Sequence, residues 1–140
     1  MSEAINNLNN ALGSAMSVRP DVGGFPILVE ILRQAGVTRN IWHLPSCQSI
    51  YLTTRGNVVI QMPPLVTGNA DIPAFDRDAV IRAIRTDQEG KSTFPEFLKA
   101  AWDAGVIRYE VEFEKHYVIC FGVSGDEYRE DYPVVDVPAM

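Results

Sequence analysis

Residues 25–56 read FPILVEILRQAGVTRNIWHLPSCQSIYLTTRG, and residues 94–125 read FPEFLKAAWDAGVIRYEVEFEKHYVICFGVSG. Aligned without a gap at an offset of 69, the two stretches share 8 of 32 residues. Phe25-Pro26 falls on Phe94-Pro95, Ala35-Gly36-Val37 on Ala104-Gly105-Val106, Arg39 on Arg108, Ile50 on Ile119 and Gly56 on Gly125. The apolar pattern follows the letters, with Leu28/Val29 over Phe97/Leu98 and Trp42/Leu44 over Val111/Phe113. Each stretch reads as a helix that opens on Phe-Pro and stops at Ala-Gly-Val, followed by a hairpin. One such unit cannot cover its own apolar sheet face, whereas two packed together can. The expected architecture is α+β: a mostly antiparallel sheet with about four helices packed on one face, built from two related helix–helix–hairpin halves.

Upstream of the first stretch, residues 3–16 set Ile5, Leu8, Ala11, Leu12 and Ala15 at helical spacing. Four asparagines on the other side are poor helix formers, so this helix depends on docking. Pro20–Gly24 breaks the chain, and a second helix runs from Phe25 to Ala35 with Gly36 as its left-handed stop. Three strands are expected between Thr38 and Met62, with Trp42, Leu44, Ile50, Leu52, Val58, Ile60 and Met62 on one inner face. Three-residue turns at Pro45-Ser46-Cys47 and Arg55-Gly56-Asn57 would set Trp42 opposite Ile50 and Leu52 opposite Ile60. A Pro- and Gly-rich connector spans 63–73, either a lid or binding loop or simply the link between the two halves.

A third helix is expected near Phe75–Glu89, with Val80, Ile81 and Ile84 on one side and Gly90 at its end. Thr93-Phe94-Pro95-Glu96 is a capping box that opens a fourth helix, closed by Gly105. Ile107, Tyr109, Val111 and Phe113 then alternate with Arg108, Glu110 and Glu112. Residues 117–123 return as the hairpin partner. A turn of Glu114-Lys115-His116 would set Phe113 opposite Tyr117. Val134, Val135 and Val137, between Pro133 and Pro138, are expected as a short edge strand. The chain thus reads as one domain, residues 1–140, with halves at 3–62 and 74–125.

A 140-residue chain with 46% hydrophobic residues buries roughly 68% of its unfolded surface, enough for its own core. The net charge of −6 argues against general nucleic-acid binding, which needs clustered Lys and Arg. It equally disfavours an anionic membrane surface. No apolar run reaches transmembrane length, and the start Met1-Ser2-Glu3-Ala4-Ile5-Asn6 lacks the basic and apolar regions of a signal peptide. A cytoplasmic location is the default expectation.

Candidate chemistry is sparse. His43/Cys47 and His116/Cys120 repeat a spacing of four, but four residues along a strand span roughly 13 Å, too far for one ion. Neither a metal nor a cofactor is implied. Cys47 beside His43 is the sharper enzymatic idea, since a turn would expose the thiol; nothing nearby in sequence lowers its pKa. Glu110 and Glu112 share a strand face about 6.6 Å apart, a separation that suits paired carboxylates, yet a half-solvated strand is written the same way. Arg39 and Arg108 recur in the two halves and could clamp a carboxylate or phosphate. The plainer reading ties each to a neighbouring carboxylate. The candidate ligand-binding residues are Arg39, Arg108, Tyr51 and His43, with Trp42 and Trp102 as further pocket candidates.

The chain resembles the YbcV-like family of small bacterial and prophage-associated proteins along essentially its full length. The resemblance rests on Phe25-Pro26 with Ala35-Gly36-Val37, on Trp42-His43-Leu44, and on Phe94-Pro95 with Ala104-Gly105-Val106-Ile107-Arg108-Tyr109. It implies an α+β fold and mobile-element ancestry, and carries no catalytic residues with it. The leading functional expectation is a non-enzymatic cytoplasmic binding or interaction protein, acting as a homodimer or with a protein partner. The alternatives are a small enzyme using Cys47/His43 or Glu110/Glu112, and an acidic mimic that occupies a nucleic-acid-binding protein through the carboxylates at 110–114 and 126–131.

Overall fold

The structure, a computed structural model, describes residues 2–18, 20 and 23–137. Helix α1 spans Glu3–Val18 and α2 spans Phe25–Gln34; strands β1 (Val37–His43), β2 (Gln48–Thr53) and β3 (Val58–Gln61) follow. The same order then returns: α3 (Arg77–Gln88), α4 (Phe94–Asp103), β4 (Arg108–Glu112), β5 (Tyr117–Phe121) and β6 (Glu127–Asp131). All six strands form one antiparallel sheet in the order β3-β2-β1-β4-β5-β6. At its centre β1 pairs with β4, and Ile41 lies opposite Glu110, residues that are themselves 69 apart.

Local chemistry explains the helix ends. Pro26 and Pro95 sit in the first turns of α2 and α4, where a missing N–H costs nothing. Thr93 and Glu96 form the expected capping box, with Thr93 N donating to Glu96 Oε1 (2.8 Å) and Glu96 N to Thr93 Oγ1 (3.3 Å). Asp76 caps α3 by accepting from Ala79 N, so α3 starts after Phe75 rather than at it. Phe75 instead packs against Gly122. Leu8 and Ala11 of α1, Val29 and Leu32 of α2, Val80 of α3, and Leu98, Ala101 and Trp102 of α4 join one core with the inner sheet residues Trp42, Tyr51, Val58, Tyr109, Val111 and Cys120. All four helices cover that one face.

The strand register differs from the expected one. The first hairpin turns over Leu44–Cys47, with Cys47 in the left-handed region (φ 53°), and its last pair is His43 with Gln48. Four turn residues instead of three reverse the parity of the returning strand. Trp42 therefore lies opposite Ser49, not Ile50, and Ser49 and Tyr51 face the core while Ile50 and Leu52 face outward. The second hairpin repeats this over Phe113–His116, with His116 at φ 62°. Glu112 lies opposite Tyr117, so Val118 and Cys120 turn inward and Tyr117, Ile119 and Phe121 outward. Between β2 and β3 the loop is closed by its own side chains, Thr53 Oγ1 donating to Gly56 O (2.5 Å) and Asn57 Oδ1 accepting from Thr53 N (3.2 Å). Ile60 consequently pairs with Ser49 rather than Leu52.

The edge strand is also elsewhere. It is the acidic β6, not residues 134–137, so the second half has three strands rather than a hairpin. Tyr128 of β6 packs against the core, and Arg85 of α3 pairs with Glu130 at 2.6 Å, which offsets the charge of this strand. Residues 132–137 run back toward α2: Tyr132 meets Phe25 edge-on at 5.3 Å, and Gln34 Nε2 donates to Val137 O at 2.8 Å. Pro138, and Asp21 and Val22 of the expected break, lie outside the described residues.

Two glycines test the packing. Gly105 (φ 91°) and Gly125 (φ 83°) are both left-handed, but a Cβ at Gly105 would stand 2.5 Å from Ala74 O and from Phe75 Cα, whereas one at Gly125 meets open space. Gly125→Ala should cost about 1–2 kcal/mol from backbone strain alone. Gly105→Ala should cost about 3 kcal/mol or more, because the connector backbone must also move. Urea unfolding of the two variants measures the difference; equal losses would contradict the close approach.

Candidate functional site

The sheet face away from the helices is uncovered. Its three cross-strand rows follow from the pairing register. The first runs Gln61, Gln48, His43, Arg108, Phe121, Glu127; the second Val59, Ile50, Ile41, Glu110, Ile119, Arg129; the third Leu52, Arg39, Glu112, Tyr117, Asp131. Apolar side chains cluster on the β3-β2-β1 half, where Val59 is 58% exposed. Charged residues hold the centre, and aromatics line β5.

The central charges are mutually paired. Arg39 Nη1 lies 3.4 Å from Glu110 Oε1, and Arg108 Nε lies 3.1 Å from Glu110 Oε2. The two recurring arginines thus share one carboxylate that sits between them in the register. Glu112 accepts from the Lys115 backbone N–H in the following turn. The Arg108 guanidinium also stacks on Phe121, 4.0 Å from the ring centre, and Arg129 stacks on Tyr117 at 4.0 Å. Glu110 and Glu112 therefore serve as partners of cations and backbone, not as a facing acid–base pair.

The four candidate ligand residues divide between the two faces. His43, Arg108 and Arg39 lie on the open face, with His43 directly opposite Arg108. Tyr51 lies on the inner face, 7% exposed, and burial pushes its hydroxyl pKa up. It belongs to a polar patch inside the core, where Asn40 Nδ2 donates to Ser49 Oγ (2.8 Å) and to Ile50 O (3.0 Å). Trp42 is likewise core, stacked on Tyr109 at 6.1 Å and met edge-on by Phe94 at 5.0 Å.

Cys47 is buried, 4% exposed, and not the exposed turn thiol that the sequence suggested. The left-handed backbone at this position turns its side chain under the hairpin, where Sγ donates to Leu44 O at 3.5 Å. Burial pushes the Cys47 thiol up and drives that of Cys120 up to about 12. Among the described residues, no group of three or more His, Cys, Asp or Glu side chains is arranged to hold a metal ion.

Beyond the end of β1 lies a cleft of about 360 Å³, lined by His43, Pro45, Trp102 and Ile107 and by Val66, Gly68, Ala70 and Ile72 of the connector. The connector is tied down at both ends. Leu65 N and Val66 N both donate to Pro45 O at 3.1 Å, and Asp76 N donates to Ala104 O at 2.8 Å. Trp102 was legible as a pocket candidate. The 63–73 connector was legible too, as a lid or binding loop; Ile107 was not, because which residues an irregular loop meets depends on where it lands.

Thiol burial has a direct readout. Since the raised pKa leaves little thiolate at neutral pH, both cysteines should resist alkylation in native protein and react promptly after unfolding in guanidinium. Rapid, stoichiometric labelling of Cys47 in the folded state would contradict this placement.

An uncharacterised protein of Mycobacterium bovis (Mb2035) is 48% identical over 136 residues, covering 97% of this chain and 83% of its own. The uncharacterised proteins MT2067 and Rv2012 of Mycobacterium tuberculosis match to the same extent. A family model described as "Protein of unknown function (DUF1398)" matches residues 16–130. This chain belongs to the DUF1398 family.

Proposed function

We propose that this protein is a non-enzymatic interaction protein whose working surface is the open face of the sheet, and that its first partner is a second copy of itself. The observation that carries this reading is the composition of that face. Val59, Ile50, Ile41 and Leu52 are contiguous across β3, β2 and β1, beside a centre of paired charges. A contiguous exposed apolar patch bordered by charged residues is the mark of a protein contact rather than of a solvated sheet face.

The charge pattern favours self-association. Two sheets packed face to face lie about 10 Å apart with strands roughly aligned. A two-fold axis parallel to the strands would bring β1 against β4, setting Arg39 opposite Glu112 and Ile50 opposite Ile119. A two-fold perpendicular to the strands would instead set Glu110 against Glu110. The first also faces Ile41 with Glu110 and Val59 with Arg129, while the second sets Ile41, Ile50 and Val59 each against its own copy; charge matching favours one axis and apolar matching the other, and either closes an isologous dimer.

Cytoplasmic location, the YbcV-like relationship and mobile-element ancestry belong to the same reading. Their support is the charge balance and the residues quoted for the resemblance. No described helix is long and apolar enough to cross a membrane. Duplication of an ancestral half is supported by the spacing of elements, since α2 and α4, and the left-handed Cys47 and His116, are each 69 residues apart. A close superposition of the two halves at that offset would be its test.

Sedimentation equilibrium should find the protein at twice its 15.5 kDa chain mass. Ile50→Glu should return it to single mass while leaving the far-UV circular dichroism unchanged. Wild-type protein that remains at single mass at every concentration would sink the second-copy reading.

A further inference from the structure

The geometry points to a second, independent site: the connector-walled cleft at the end of β1 binds a small organic acid, with an apolar body against Trp102 and its carboxylate toward His43. The cleft, at about 360 Å³, falls within the range of small-molecule sites. It is built rather than incidental, since hydrogen bonds pin the connector at Pro45 and at Ala104 on either side of the arch formed by 66–72.

The polarity of the lining selects the ligand. Six of the eight lining residues are Pro45, Val66, Gly68, Ala70, Ile72 and Ile107, and the remaining two are His43 and Trp102. The Trp102 ring is 8% exposed. Among the described residues, Trp42 Nε1 is the one enclosed side-chain N or O without a partner. Trp102 makes no side-chain hydrogen bond and lines the cleft. His43 makes no hydrogen bond and directly faces Arg108 across the β1–β4 pair. The lining therefore offers an indole and an imidazole that make no hydrogen bond within the protein, and no Asp or Glu side chain. A ligand ammonium would find no counter-charge there. A carboxylate finds donors, with its apolar remainder against indole, proline and isoleucine.

The test is titration of the intact protein with benzoate and hexanoate, and with benzamide and benzylamine as neutral and cationic controls. The readout is the indole N–H signals in a ¹⁵N correlation spectrum. The two tryptophan signals are assigned with Trp42→Phe and Trp102→Phe. The carboxylates should shift the Trp102 signal saturably and leave that of Trp42 in place, while the amine leaves both unmoved. His43→Ala should weaken binding by about tenfold or more. Ala70→Phe, an exposed position that fills the cleft from the connector side, should abolish the shift in a protein whose other signals are unchanged. An unmoved Trp102 signal at millimolar carboxylate would overturn the proposal. So would equal shifts with benzylamine, or full affinity in either variant. Because the sheet-face reading is scored by mass and this site by spectrum, failure of one leaves the other standing or falling on its own result.

Discussion

The antiparallel pairing of β1 with β4 is the joint on which the rest of the molecule hangs. Each half taken alone is two helices and a three-stranded meander whose strand β1 or β4 would be an unpaired edge, a ready template for wrong partners. Joining the two edges removes both liabilities and doubles the sheet. It also brings Trp42 flat against Tyr109 at 6.1 Å, with rings within 4° of parallel. The helices then interlock the halves. Phe94, at the start of α4, meets Trp42 of the first half, while Phe25, at the start of α2, meets Tyr132 of the second. The paired Phe-Pro motifs thus do two jobs, opening a helix and supplying the ring that crosses to the other half.

The same joint gathers the charges. Because Ile41 lies opposite Glu110, the arginines two residues from each lie on the same face, and both reach the one carboxylate. Such exposed pairs contribute little stability, typically under about 1 kcal/mol each. Their consequence is chemical. They place a paired charged cluster between an apolar half-face and an aromatic one, and they hold the Arg108 guanidinium over Phe121 beside His43. The open face and the cleft therefore share a boundary at His43, which belongs to the first row of the face and to the cleft wall.

The inner face carries polar groups in unequal measure. Asn40, Ser49 and Tyr51 are buried in the first half, and Asn40 satisfies its amide through Ser49 and the Ile50 carbonyl. Trp42 Nε1 faces the Cys47 sulfur, a weak acceptor, and makes no hydrogen bond of ordinary geometry. An unsatisfied buried donor of this kind costs about 1–3 kcal/mol. The rings of Tyr109 and Phe94 pack against the indole and act against that cost.

Helices and their ends were legible in the sequence because their signals are local. The Thr93–Glu96 box, Pro26 and Pro95, and Gly36 and Gly105 each act within a few residues of where they stand. The α+β class and the covering of one sheet face followed from amphipathic period and length. What the sequence left undecided was parity. A left-handed residue at Cys47 or His116 adds one position to a turn, and one position reverses every side chain of the strand that follows. Alternation alone therefore puts Ile50 and Leu52 in the core and leaves Tyr51 for a ligand, whereas Ile50 and Leu52 form the open face and Tyr51 lies in the core. The acidic β6 was invisible for a different reason: its strand pairs with β5 and draws Arg85 from α3, and neither contact is written in its own residues. The cleft depends on where the 63–73 connector lands, set by hydrogen bonds to Pro45 and Ala104 far from it in the chain. Local sequence thus determined the elements and their caps; register, charge pairing and the cleft were decided only by the packed structure, because each depends on which distant backbone groups meet.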